Sequence, residues 1–222
     1  VWSATTPPLA PWFDKASIWE AVDIDAGTGR LLLGFGDGRL RVVDQTGADA
    51  LALTTGAPIM AGDVPLHASI GWGLLHGDHV IFNTSGTHIP WGAASPETRP
   101  PSTHPSENTL WAMTMNGDRA WSWSGGQQLQ GISMGADGRH ILVGAGDRPT
   151  DERRDLFGAL VFDLEGPSTR SGEDRLRAFC ATESPVFFRH AMSRDGRVAV
   201  AEHPHTDAEG AVRGSYQVTV LR

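Results

Sequence analysis

The 222-residue sequence predicts an all-β fold, a β-propeller with about four visible blades, from a repeated pattern and its spacing. The pattern is a Gly-Arg pair followed by a short apolar run, and it occurs at Gly29-Arg30, Gly138-Arg139 and Gly196-Arg197. Each glycine marks a turn with a positive φ angle, and each run has the length and β-branched content of a buried strand. No amphipathic pattern of helical length stands out between the copies.

The spacing of these copies leaves room for a fourth. Gly29 and Gly138 are 109 residues apart, whereas Gly138 and Gly196 are 58 residues apart. The segment 76–82 lies within the longer gap and keeps the glycine, a polar pair and the apolar run. Units of about 55 residues exceed the ~40 to 50 of simple propeller repeats, so we expect insertions in the loops. The four blades either close a ring or belong to a larger one.

The first two units are assigned from their strand-forming runs and turns. Pro7, Pro8 and Pro11 predict an extended N-terminal arm over residues 1–14, followed by the propeller domain over residues 15–222. An Asp37-Gly38 hairpin is expected in the first unit. The predicted strands are 18–24, 30–34 and 39–44 in the first unit and 68–72, 79–83 and 87–91 in the second.

The last two units are assigned in the same way, with an Asn116-Gly117 hairpin in the third. The predicted strands of the third unit are 109–115, 119–124, 129–134, 141–144 and 157–164. Those of the fourth unit are 176–181, 186–192, 198–201 and 216–221. We expect the last strand to close the ring or to dock on the N-terminal segment, because either arrangement removes an exposed sheet edge.

The turns and the strands that follow them resemble a known class of repeats. Asp44 and Asp163 each end an apolar strand, which completes the pattern Asp-Gly-Arg, buried strand, Gly, loop, apolar strand, Asp. Segments 137–163 and 193–197 therefore resemble the signature of WD-repeat-like and pyrroloquinoline-quinone-like β-propeller proteins. The resemblance covers about residues 15–222 and implies the fold. It names no single function, because such propellers include scaffolds, electron-transfer subunits and enzymes.

The net charge and the lengths of the apolar runs indicate which kind of partner the protein binds. A net charge of -8 argues against nucleic acid, which needs a basic face, and no apolar run is long enough for membrane insertion. We therefore expect another protein chain as the partner.

Cys180 is alone, so it forms no intrachain disulfide, and we interpret it as a buried structural thiol. The start at Val1 and the Trp content suggest an extracytoplasmic (periplasmic or secreted) location.

Two polar loops form the candidate binding face. Loops 147–155 and 202–209 are longer than the equivalent hairpin of the first unit, and equivalent hairpins of adjacent blades emerge on the same face. We expect the two loops to lie side by side. The first loop contributes Arg148, Arg153 and Arg154 as an interaction face.

The second loop contains a candidate metal site. His203, His205, Asp207 and Glu209 alternate, and alternate side chains of an extended segment point to the same side. Imidazole and carboxylate groups are ligands for a divalent metal such as zinc, copper or calcium. A solvated turn without metal is the alternative.

Catalytic motifs are missing from the sequence. It contains no Gly-x-Ser-x-Gly, no phosphate-binding glycine loop followed by Lys, and no recognisable pair of catalytic carboxylates. We assign no catalytic residue and leave open whether the protein is an enzyme. The leading hypothesis is a non-catalytic β-propeller subunit or protein-interaction scaffold. The alternative is a metal- or cofactor-dependent oxidoreductase, or the propeller subunit of one.

Overall fold

The computed structural model describes residues 18–62, 64–87, 103–146, 157–167, 169–207 and 209–221, and these residues are mostly in β-strands. The chain divides into two compact units, Val1–Ala120 and Trp121–Arg222. Within the described ranges, no helix has the length and apolar character needed to cross a membrane.

The first unit contains two four-stranded groups, which we call blades one and two. Their strands, with a small hairpin of β5 and β6 between the blades, are β1 (Ile18–Ile24), β2 (Leu31–Phe35), β3 (Arg39–Val43), β4 (Asp49–Thr54), β5 (Ile59–Ala61), β6 (Val64–Leu66), β7 (Ala68–His76), β8 (His79–Thr87), β9 (Leu110–Thr114) and β10 (Arg119–Trp123). The strand order is β10-β9-β8-β7-β1-β2-β3-β4. The pairs from β1 to β4 and from β7 to β9 are antiparallel, whereas β1 and β7 meet in parallel at Glu20 and Trp72. β10 continues across the boundary between the units.

The second unit contains blades three and four. Its elements are β11 (Gln128–Met134), β12 (His140–Gly146), β13 (Gly158–Asp163), α1 (Gly172–Arg175), β14 (Leu176–Ala181), β15 (Val186–Met192), β16 (Val198–Glu202), β17 (His205–Thr206), β18 (Val212–Arg213) and β19 (Gln217–Leu221). Blade three has the order β11-β12-β13-β14, and blade four has the order β15-β16-β19. The antiparallel hairpin of β17 and β18 is inserted between β16 and β19.

The repeated glycines have the predicted backbone conformation. The φ angles are +69° at Gly29, +58° at Gly77, +68° at Gly138 and +86° at Gly196. Each glycine precedes the second strand of its blade, so the repeat marks the same turn four times. The two predicted hairpins are also confirmed, because Gly38 and Gly117 have φ angles of +83° and +86°.

The structure corrects the boundaries of the predicted units. The predicted third unit includes β9 and β10, but β9 pairs with β8 from His79↔Thr114 to Asn83↔Leu110, and β10 follows β9 in the same sheet. β14 was expected in the fourth unit, but it pairs with β13 in blade three. The reason is that the repeat marks the second strand of a blade and carries no information about which side the outer strands join. The predicted strand at 87–91 begins where β8 ends, and residues 88–91 lie outside the described residues.

Each unit has its own apolar core between two blades. The core of the first unit consists of Ala21, Leu32, Leu40, Val42, Leu51, Ile70, Val80 and Phe82. That of the second consists of Leu142, Ala159, Val161, Val186, Met192, Val198 and Val200. Cys180 is half-buried against the second core, and burial raises the pKa of its thiol. A raised thiol pKa lowers the thiolate fraction, in agreement with a structural role.

Candidate interaction surface

The outer edge of blade four is formed by β19. β19 pairs with β16 through five consecutive residue pairs, from Val198↔Leu221 to Glu202↔Gln217, without a register shift. Blade three adds a fourth strand at the equivalent position, β14, whereas blade four has three strands among the described residues. The outward backbone groups of β19 therefore have no strand partner within that part of the chain. The predicted N-terminal arm, residues 1–14, lies outside the described residues, so the expected docking of the last strand on it stays a prediction.

Exposed apolar side chains cluster at this edge. Val218 and Val220 are 73% and 62% exposed, and Tyr216 just before the strand is 78% exposed. Phe188 contacts the same His203 ring as Tyr216, and we call Phe188, Tyr216, Val218 and Val220 the blade-four surface. The other exposed large apolar side chains of the described residues are Val212 on β18 and, in the first unit, Val22, Ile24 and Met60. Large apolar side chains exposed together on one surface are typical of a contact site.

Val218 and Val220 lie on the same face of the blade. They are opposite Ala201 and Ala199 of β16, and directly opposite residues of an antiparallel pair share a face. The small alanines leave both valine side chains without cover. The apolar face is therefore continuous from β16 to the edge of β19.

A buried carboxylate fixes the position of β19. The side chain of Glu202 is 2% exposed, and it accepts hydrogen bonds from the backbone N–H of Ser184 at 2.9 Å and from Gln217 Nε2 at 3.0 Å. The Thr219 hydroxyl also donates to this carboxylate. The edge strand is thus anchored from its inner side, so its outer side is presented in a defined geometry.

An aromatic cluster flanks the edge strand. The His203 ring lies among Phe187, Phe188 and Tyr216, with ring centroids 5.4, 5.9 and 5.3 Å away. His203 therefore contributes to packing, and its contact positions Tyr216 at the start of β19.

Two of the other predicted metal ligands, His205 and Asp207, also have partners of their own, whereas Glu209 is exposed. The His205 ring packs on Phe157 at 4.9 Å. The carboxylate of Asp207 is nearly buried and accepts hydrogen bonds from Arg213 Nε at 2.7 Å and from the backbone N–H groups of Ala211 and Glu209 at 2.7 and 3.1 Å. The hydrogen bond from Arg213 is the main cause of the lowered pKa of Asp207.

These contacts give no support to metal binding by the second loop. In residues 18–62, 64–87, 103–146, 157–167, 169–207 and 209–221, no group of three or more His, Cys, Asp or Glu side chains could hold a metal ion. The site of His203, His205, Asp207 and Glu209 stays a prediction. Metal analysis of the purified protein tests it, and a bound metal should be lost in the His203→Ala/His205→Ala variant.

The predicted interaction face of the first loop lies outside the described residues. Arg148, Arg153 and Arg154 belong to the range 147–156. That these arginines lie next to the second loop therefore stays a prediction.

Sequence reasoning missed a buried charge network in blade three. The carboxylate of Asp163 is 1% exposed and accepts hydrogen bonds from Arg139 Nε at 3.0 Å, Arg177 Nη2 at 2.8 Å and Arg170 Nη1 at 3.3 Å. These guanidinium groups, Arg139 foremost, hold the pKa of Asp163 far below its usual range. The network ties the ends of β12, β13 and β14 together. The repeated terminal Asp marked this position, but the arginines are dispersed along the chain.

A second missed contact joins blades three and four. Ser133 Oγ of β11 lies 2.7 Å from His190 Nδ1 of β15, and it also donates to the His190 carbonyl oxygen at 3.1 Å. Burial lowers the pKa of His190 to about 4. The imidazole is therefore neutral near pH 7 and links the first strands of two blades.

Comparisons with known proteins identify the fold. No family model matches the chain, and no curated protein matches it. The computationally designed Ika4 protein is similar at 14% identity and a TM-score of 0.52, over 90% of this chain and 91% of that one. The WD40 domain of Neurospora crassa Pan2 is similar at 16% identity and a TM-score of 0.51, over 95% of this chain and 52% of that one.

The fold is a β-propeller. This result confirms the predicted fold class and the WD-repeat-like resemblance. BamB from Moraxella catarrhalis also matches, at 16% identity and a TM-score of 0.49, over 88% of this chain and 51% of that one. The chain spans about half the length of the Pan2 and BamB chains, with 52% and 51% of them covered. Identities this low show the fold alone.

Proposed function

We propose that this propeller is a non-catalytic subunit that binds another polypeptide through the blade-four surface. The observation that carries the proposal is the anchored edge strand β19, on which Val218 and Val220 are exposed, together with the exposed Tyr216 that precedes it. Burying the two valine side chains would contribute roughly 1 to 3 kcal/mol each at most, and main-chain hydrogen bonds along the edge would add specificity. A general role in protein interaction also fits the propeller fold.

A capture experiment tests this proposal. Polypeptides bound to the wild-type protein are cross-linked to it and recovered with it, and the same is done for Val218→Lys/Val220→Lys, which places two charges on the edge strand. The matched control is Ala50→Lys/Ala52→Lys, because both alanines are exposed on β4, the outer strand of blade one. We expect a stoichiometric polypeptide with the wild type and the control and its loss with the valine variant. Equal retention by all three proteins, or turnover of a small substrate by the monomer alone, would contradict the proposal.

Two further sequence expectations stay predictions. The oxidoreductase alternative depends on a metal or cofactor, and an absorption spectrum together with metal analysis tests it. The extracytoplasmic location is tested by cell fractionation, and recovery of the protein in the cytosolic fraction would contradict it.

A further inference from the structure

We infer that the blade-four surface binds a second copy of the same chain, with the two β19 strands antiparallel about a twofold axis at Thr219. The inference rests on the proposed function, since it names the polypeptide that occupies this surface. Its basis is the lack of protection of the edge by any of the described residues, the self-complementarity of the strand and the direction of the fourth strand in blade three.

Compared with the other outer strands, β19 has no feature that discourages pairing. β4 contains Asp49, β10 contains Arg119 and β14 contains Arg177. The pairings of β4 and β14 also have register shifts. β19, with the sequence Gln-Val-Thr-Val-Leu, has no charge, no proline and no shift against β16. Charges, prolines and bulges are the devices that keep sheet edges from pairing, so this edge is suited to accept a strand.

The strand is complementary to itself. In an antiparallel pair centred on Thr219, Val218 is opposite the partner's Val220, and Gln217 is opposite the partner's Leu221. Val218 and Val220 share one face of the blade, so the pair aligns four valines on that face. No like charges meet across the axis, because the strand has none. A twofold contact requires such a self-complementary patch.

Blade three shows the direction that an added strand takes. Its outer strand β14 runs antiparallel to β13, from Gly158↔Ala181 to Phe162↔Leu176. A strand added to β19 in the same way is antiparallel, which is also the direction that twofold symmetry imposes on two identical strands. Tyr216 directly precedes β19 and is 78% exposed, so it can extend the contact beyond the five strand residues.

Sedimentation velocity and native mass spectrometry of the whole chain at increasing concentration test the inference. We expect a monomer of 23.8 kDa in equilibrium with a dimer, with a Kd of micromolar order because the interface is small. Val218→Lys/Val220→Lys should raise this Kd by about 100-fold, since like charges then meet at the edge. Ala50→Lys/Ala52→Lys carries the same added charge on another edge and should leave the Kd unchanged. Circular dichroism checks that both variants fold.

A charge-swap experiment tests the register. Val218→Lys/Val220→Lys and Val218→Glu/Val220→Glu should each be monomeric, because identical charges face each other in the homodimer. In an equimolar mixture, Lys is opposite Glu at both positions, and a heterodimer should form. Homodimers that persist in the Lys variant, or a mixture that stays monomeric, would overturn the pairing.

Hydrogen exchange distinguishes the remaining outcomes. Amides of β19 should exchange more slowly as the concentration rises through the Kd. A concentration-independent monomer overturns the inference, whether its β19 amides are protected by the chain itself or exposed. If such a monomer still retains a different polypeptide, and loses it in the valine variant, the inference fails and the proposed function stands.

Discussion

At the scale of single residues, stability depends on polar groups that the fold buries in fixed geometry. Asp163 is nearly inaccessible and balances three guanidinium groups, whereas Asp195 pairs with Arg197 where both side chains are more than half exposed. When a buried carboxylate loses its charge, water cannot reach the guanidinium groups that it was paired with. At an exposed pair, water solvates the remaining charge. The two aspartates therefore form a matched comparison.

The Asp163→Asn substitution should destabilise the protein by about 2 to 4 kcal/mol, because three arginines then share a neutral partner. Asp195→Asn removes the same charge from a solvated pair and should leave stability unchanged. Urea unfolding measures both variants. Equal midpoints for Asp163→Asn and the wild type would show that the network contributes nothing to stability.

His190 should make stability depend on pH. The unfolded chain protonates this imidazole near a pKa of 6.5, whereas the folded chain does so near a pKa of about 4. Between these values the unfolded state binds more protons, so stability should fall as pH decreases, by at most about 1.4 kcal/mol per pH unit from this group. His190→Asn should remove this part of the slope. Ser133→Ala keeps the imidazole, so this variant should retain the pH dependence of stability. If stability depends on pH equally in His190→Asn and in the wild type, the assignment to His190 is contradicted.

At the scale of elements, turns with positive φ angles determine where strands begin. Gly38 and Gly138 have φ angles of +83° and +68°, but their surroundings differ. A Cβ at Gly38 would overlap the His67 side chain and lie 2.9 Å from the Ala68 carbonyl oxygen, whereas a Cβ at Gly138 would meet nothing within 4 Å. The two sites separate backbone strain from steric overlap.

Replacing each glycine with alanine measures the two effects. Gly138→Ala should cost about 1 kcal/mol, since only the backbone conformation is unfavourable. Gly38→Ala should cost at least about 3 kcal/mol, because the added methyl group also displaces His67 and Ala68 at the start of β7. Chemical denaturation at equilibrium gives both values, and similar costs at the two sites would show that the overlap relaxes freely.

At the scale of the whole molecule, the second-copy inference links stability to concentration. A protein that associates only when folded gains stability by mass action, so the Tm should rise with protein concentration. Val218→Lys/Val220→Lys should remove this dependence, and Ala50→Lys/Ala52→Lys should keep it. Differential scanning calorimetry over a wide concentration range measures the effect. A constant wild-type Tm would contradict association through the folded edge.

The sequence by itself determined the fold class and the turns of this protein. Glycines at 29, 77, 138 and 196 precede apolar runs, and such local patterns specify a strand and its start through backbone sterics and periodicity alone. Only the tertiary structure decided the strand pairing of β9 and β14. The local sequence makes each segment a strand, but it does not determine whether that strand forms its hydrogen bonds with the blade before it or the blade after it. The same holds for Asp163, whose arginines lie far apart in sequence, and for β19, whose exposure depends on which strands pair with it.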